Sequence, residues 1–249
     1  MIFWNKPSNI TLDAFTFSET IGLNFPIAPA SKFYPKEWRD YPKDIVVKSN
    51  DRPESNLTEN LLTIKYCNGI TDLFASGFIL PSWATVSIEC LGERNFNFST
   101  QNMFSCDSHG RNQFGDMYNG YANIKFMSPW LLHEKTGVKF VWSQPSYHRY
   151  DIRNNFAAPS AVVDYKYQFA TNINAFQKYN SIINIVAGDP LVHMIPMTDK
   201  RVKLKVHILS KNEYDKKNNA LIAHAAYHGH RNLKYPQVLK TSKCPFGFK

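Results

Sequence analysis

The sequence predicts a mainly β protein, on three observations. Short apolar runs alternate with polar residues at a period of two, turn residues punctuate them, and only one segment, near the C-terminus, has convincing helical periodicity. The 249 residues contain 14 prolines scattered along the chain, and 14% of residues are aromatic, a composition that favours many short elements over a few long ones. The chain is long enough to bury a sizeable core without disulfides or structural metal.

The elements follow in order. Residues 1–60 read as an N-terminal arm that drapes over the core, because prolines recur beside aromatics in Phe25-Pro26-Ile27-Ala28-Pro29 and Phe33-Tyr34-Pro35, with one helical turn expected at 35–40. Residues 61–210 form the β-rich core. Leu61 to Tyr66 is strand-like, Ile70 to Phe78 is a helix or turn, and Ala84 to Cys90 alternates as a half-buried strand does. A polar stretch near 92–123, with Gly110, Gly115 and Gly120, reads as loops or an insertion. Ile124 to Met127 and Val138 to Trp142 flank His133-Glu134-Lys135-Thr136-Gly137 as the arms of a hairpin. Further strands are expected at 161–167, 182–186, 191–197 and 202–209, the last with lysines on its open face. Residues 211–249 form a C-terminal helix and basic tail; the helix runs from Glu213 to His228 with Tyr214, Leu221, Ile222 and Ala225 on one side and Gly229 placed to end it.

Charge and cysteine content narrow the function. Lys and Arg number 29 against 20 Asp and Glu, a net charge of +9, which suits anionic partners such as nucleic acid or an acidic protein surface. The excess is spread along the chain except for a concentration in 200–249, and abundant Asn, Lys, Ile, Phe and Tyr together match AT-rich coding. Nucleic acid is therefore a possible partner, not the favoured one. No run approaches the ~20 apolar residues of a membrane span, and the polar, proline-broken start reads against a signal peptide, so the expectation is an intracellular chain without membrane contact. Cys67, Cys90, Cys106 and Cys244 lack CxxC spacing and are expected to be reduced.

Few motifs carry chemistry. No phosphate-binding Gly loop, no Gly-x-Ser-x-Gly and no Cys/His pairing is present. His224 and His228 stand one helical turn apart and are weak metal candidates, since the Glu of a metalloprotease helix is missing. Tyr147-His148-Arg149-Tyr150 offers a base and an anion contact.

Two resemblances add to this reading. Gly69-Ile70-Thr71-Asp72, Ser143-Gln144-Pro145-Ser146, Ala161-Val162-Val163-Asp164-Tyr165-Lys166-Tyr167 and Gly188-Asp189-Pro190-Leu191 resemble motifs of the dUTPase-like family. That resemblance implies a β-clip or β-sandwich-like core. It matches Asp164 to a water-activating carboxylate, Tyr167 to the ring under the sugar, Asp72 to the carboxylate near Mg-bound phosphates, and Ser146, with Arg149 beside it, to nucleotide contacts. Pro145 stands where the family has Arg, His193 where it has Gln, and the tail lacks the closing Gly-rich motif. Those losses remove cations and donors on which phosphoryl chemistry depends. The alternative function is thus nucleotide hydrolysis, with Mg as its cofactor, or nucleotide sequestration without turnover.

The second resemblance spans most of the chain. Tyr34-Pro35-Lys36-Glu37-Trp38, Cys67-Asn68-Gly69-Ile70, Gly77-Phe78-Ile79-Leu80-Pro81-Ser82-Trp83, Ser128-Pro129-Trp130 and Gly188-Asp189-Pro190-Leu191 together resemble an uncharacterised family of tailed-phage and bacterial proteins. It implies a viral protein. The leading expectation is a non-catalytic virion structural or assembly component that needs no cofactor, forms a homo-oligomer and contacts other phage structural proteins, located in the virion or else in the host cytoplasm.

Overall fold

The computed structural model describes residues 10–48, 58–101, 104–115, 118–146, 148, 155–166 and 171–220. The molecule is mainly β, as the sequence predicts, and is assembled from several small sheets.

The first strand is the largest departure from expectation. Residues 10–16, placed in the arm by their proline-rich neighbourhood, form β1 (Ile10–Thr16), the middle of a three-stranded sheet. The reason lies in the local pattern: no proline interrupts it, and Ile10, Leu12, Ala14 and Thr16 are buried in alternation. Its partners are β10 (Leu131–Glu134), antiparallel, and β17 (Val202–Ile208), parallel. The two described ends of the chain thereby close on each other. After β1, Ser18 caps α1 (Glu19–Asn24), its hydroxyl accepting from the Ile21 amide at 3.3 Å. α1 lies against β17, close enough that a Cβ on Gly22 would stand 2.7 Å from Ile208. The short β2 (Ala28–Pro29) and the expected helical turn, α2 (Lys36–Asp40), follow.

A five-stranded antiparallel sheet carries much of the core. Its order is β13 (Ala161–Asp164), β11 (Lys139–Ser143), β16 (Pro190–Pro196), β5 (Phe78–Pro81) and β2. β5 is buried at all four residues, as expected for a strand covered on both faces. A third sheet joins β15 (Ser181–Ile185), β6 (Val86–Gly92) and β7 (Asn95–Thr100). β7, β8 (Cys106–Asp107) and the one-turn α4 (Arg111–Phe114) fall in the stretch read as loops or insertion. Part of that stretch is sheet: β7 sets Phe96 and Phe98 opposite Cys90 and Ile88 while Asn95, Asn97 and Ser99 account for its polar appearance.

The fourth sheet runs β12 (Phe156–Ala157), β14 (Ile173–Lys178), β9 (Tyr121–Phe126), β8. The expected hairpin between 124–127 and 138–142 does not form. β9 pairs with β8 and β14, β11 pairs with β13 and β16, and His133 and Glu134 belong to β10. Burial of Trp130, Leu131 and Leu132 draws this segment onto β1, so the chain changes sheet twice where a simple turn was expected.

Leu12, Leu80, Ile88, Ile124, Phe126, Trp130, Leu132, Phe140 and Met194 belong to one contiguous core fed by these four sheets. At about 1.5–3 kcal/mol for each large side chain buried, that core dominates the stability of the fold. A second, small cluster joins Leu131 to Tyr214 of α5, the helical residues 211–220, with Phe15, Phe17 and Leu209 alongside. The expected helix is thus present as far as the described residues reach; 221–228 lie outside them.

One element stands apart. Among the described residues, β3 (Asp44–Lys48) and β4 (Thr58–Leu62) pair only with each other, and no residue of either belongs to the core. α3 (Asn68–Ala75) connects this ribbon to β5.

Candidate functional site

Of the residues matched to nucleotide chemistry, Asp72, Ser146 and Asp164 are described. Asp72 is exposed on α3, and its backbone carbonyl accepts from the Ser76 hydroxyl at 2.6 Å. Ser146 lines a small recess of about 10 Å³ with Phe33, Phe74, His148 and His193. Asp164 ends β13 opposite Lys139, and its carboxylate accepts from the Lys166 amide at 2.9 Å. Lys139 begins β11, whereas Ser143, opposite His193, ends it. Four residue steps of strand place these ends roughly 13 Å apart. Ser146 and Asp164 therefore lie toward opposite ends of one strand. Tyr167, Arg149, His224 and His228 fall outside the described residues.

The Gly188-Asp189 pair serves the turn before β16. Asp189 accepts from the Val186 amide through its carboxylate at 2.8 Å and donates its own amide to the Val186 carbonyl at 2.9 Å. Gly188 occupies φ +92, and Ser82 brackets the turn by donating to Asp189 and accepting from Gly188.

His193 is the buried titratable group of the recess. Its Nε2 lies 2.6 Å from the Ser76 carbonyl, a contact that requires the proton on that nitrogen. Burial lowers its pKa below the ordinary 6.5, against an upward pull from Ser76. The native state therefore holds His193 neutral where the unfolded chain binds a proton, so this contribution to stability is present above pH 6.5 and declines as pH falls below it. His193→Gln, which keeps a donor, is expected to flatten that dependence; denaturant midpoints followed between neutral and mildly acidic pH measure it, and an unchanged slope would refute the assignment.

Thiols and charged groups are arranged structurally. Among the described residues Cys67, Cys90 and Cys106 are free, and burial raises the pKa of the latter two. No group of three or more His, Cys, Asp or Glu stands in metal-binding proximity among the described residues. On the outer face of the first sheet, Lys203 and Lys205 precede His207 along β17, Lys205 opposite Asp13, whose carboxylate meets His207 at 2.8 Å, and Lys217 lies over the Phe15 ring at 4.3 Å. This is the basic C-terminal character seen in the sequence. No helix among the described residues is long and apolar enough to cross a membrane.

Two features were not anticipated. One is a cleft of about 370 Å³ between the five-stranded sheet and the β12-β14-β9-β8 sheet, lined by Trp142, Ser143, Ser160, Val162, Asn174 and Phe176 among others. Its walls come from segments far apart in sequence, and no local pattern marks it. The other is the β3–β4 ribbon. Cross-strand pairs place Val46 beside Asn60 and Leu62 beside Asp44 on one face, at 65% and 67% exposure for the two apolar side chains, and Ile45 beside Leu61 on the other. Its signal was the apolar run Ile45-Val46-Val47 in an otherwise polar stretch.

No protein-family model matches the chain, and no curated protein matches it. The fold and surface define the class as a β-rich globular protein.

Proposed function

We propose that this chain is a non-catalytic assembly component that docks through its surface onto neighbouring subunits, copies of itself first among them. The β3–β4 ribbon carries the reading. An isolated two-stranded hairpin is marginal in water, and this one exposes apolar side chains on both faces. Ile64, Tyr66 and Tyr41 continue the exposed apolar surface at its base. Burial against a neighbour removes that cost. The mixed charges nearby, Lys43 before β3, Asp44 at its start and Glu59 in β4, suit contact with a second copy of the same surface. The tailed-phage resemblance favours a viral particle as the setting, with other virion proteins as further partners.

Val46→Asp and Leu62→Asp test it. Each is expected to weaken self-association at least tenfold, read by light scattering across a dilution series, while the melting temperature moves by no more than about 2 °C, as for surface substitutions away from a core. A chain that stays monomeric at about 100 μM and is missing from purified particles by mass spectrometry loses this function. The nucleotide reading makes the opposite prediction, a heat of binding to a nucleotide panel. The roughly 13 Å of β11 between the Ser146 and Asp164 ends argues against it within one chain.

A further inference from the structure

We infer that the 370 Å³ cleft accepts an extended, uncharged peptide segment from a partner protein, which adds a strand between two sheet edges. This goes beyond the ribbon, since it concerns a different surface and a different mode of contact.

The two edges define the cleft. β13 is the outer strand of the five-stranded sheet, paired with β11 along one side and with no strand along the other among the described residues. Residues 160–163 form one wall. Residues 172–174, at the start of β14, line the same cleft. β14 pairs with β9 along its whole length, but on its other side β12 covers only Phe176 and Gln177. Among the described residues, no strand pairs with Ile173 to Ala175 on that side. Every second residue of an edge strand directs its N–H and C=O away from its partner. Two such edges bordering one cleft supply donors and acceptors in ladder spacing, which a peptide backbone matches and a compact small molecule cannot match on both sides.

The lining sets the side chains of the occupant. The floor is apolar, formed by Trp142, Phe176, Ile173 and Val192, and the Trp142 indole N–H is already committed to the Tyr165 hydroxyl. Ser143, Ser160, Asn172 and Asn174 supply neutral polar groups at the sides. No Lys, Arg, Asp or Glu among the described residues lines the cleft, so a charged side chain placed there would lose its hydration without gaining a counter-ion. An alternating sequence of β-branched apolar and small neutral residues fits, over the roughly 13 Å that four residues of strand span.

A capped pentapeptide of alternating valine and threonine is the probe, titrated into the full chain and followed by amide hydrogen exchange and Trp fluorescence. The expected result is saturable binding below about 1 mM, with the outward amides of 161–163 exchanging fast in the free protein and at least tenfold slower in the complex. The same peptide N-methylated at alternate residues along one edge is expected to bind at least tenfold more weakly, because its side chains remain and its ladder donors do not. Ala161→Phe and Asn174→Phe, both at exposed positions lining the cleft, are expected to abolish binding without changing the melting temperature. The inference is overturned if the outward β13 amides are already protected in the free protein, if the N-methylated peptide binds equally well, or if thymidine, a neutral heterocycle, binds in place of the peptide. Val46→Asp leaves this binding unchanged, so failure here and failure of the ribbon to mediate assembly are read separately.

Discussion

Gly77→Ala is expected to destabilise the protein by about 3–5 kcal/mol, lowering the melting temperature by roughly 10 °C or more. Gly77 follows the last turn of α3, just past the Ser76 cap, and sits at φ +71, the left-handed position where a helix end favours glycine. Conformation alone costs an alanine there about 1–2 kcal/mol. Space costs more. A Cβ would stand 2.1 Å from the Met194 carbonyl oxygen and 3.0 Å from the Ile195 Cα, both backbone atoms of β16. β16 is held between β5 and β11 in the five-stranded sheet, so it has no free direction in which to retreat. The Gly77 carbonyl also accepts from the Ala30 amide at 3.0 Å, which ties β2 to the same corner. Gly69→Ala is the control: it lies in the first turn of α3 with open space around its Cα, and is expected to be neutral or to stabilise by up to about 1 kcal/mol. Thermal melts of the two variants side by side decide the matter. A Gly77→Ala protein that melts with the wild type means that β5 and β16 are not packed as described.

Gly77 also illustrates what sequence could and could not reveal. Elements whose local pattern agreed with their surroundings were legible: β17, with Lys203 and Lys205 on its open side, and β6 with its strict alternation, whereas the helix or turn expected over 70–78 ends at Ala75 and Phe78 already belongs to β5. β1 was obscured because prolines nearby suggested an arm, although its own seven residues alternate cleanly. Its partner β17 lies at the other end of the described chain, and a parallel pairing of that range leaves no local trace. The β9–β11 hairpin was expected for the converse reason, since two apolar runs around a Thr-Gly turn look alike whether they pair with each other or with distant strands.

The candidate sites follow the same physics. Asp164 and Ser146 each occupy a locally plausible motif, but strand β11 runs between them, and strand length is a property of the folded sheet. The cleft is assembled from β11, β13, β14 and β16, and its lining belongs to the order of strands among the described residues and not to any local run. The ribbon was half visible, as an apolar run whose exposure depended on having no sheet to join.

Glu134→Ala is expected to cost about 3–5 kcal/mol, a large effect for one surface-proximal turn. Glu134 ends β10 opposite Leu12, on the inward side of its strand, and its side chain is fully buried. Period-two patterning assigns such a position to an apolar residue. The carboxylate is there because the next turn needs it. One oxygen accepts from the Thr136 amide at 2.7 Å and the Thr136 hydroxyl at 2.6 Å, and the other from the Gly137 amide at 2.7 Å and the Val138 amide at 2.8 Å. Three backbone donors of the turn joining the first sheet to the five-stranded sheet are thereby satisfied by one side chain. Alanine leaves them without a partner at about 1–3 kcal/mol each, offset where water can reach. Glu134→Gln is expected to lose nearly as much, because its amide nitrogen would face backbone N–H groups as donor against donor. The ionised form is also the form the fold selects. Burial alone raises the carboxyl pKa, but the bonds from Thr136, Val138 and Gly137 outweigh it and hold the value below the ordinary 4.5. With the folded pKa below the unfolded one, the stabilisation is fully present above pH 4.5 and is lost as pH falls through the folded value. Urea midpoints for wild type and Glu134→Gln between about pH 6 and pH 3 should therefore converge toward the acid end. If the gap between the two proteins stays constant across that range, the carboxylate does not owe its place to its charge, and the turn is held by shape alone.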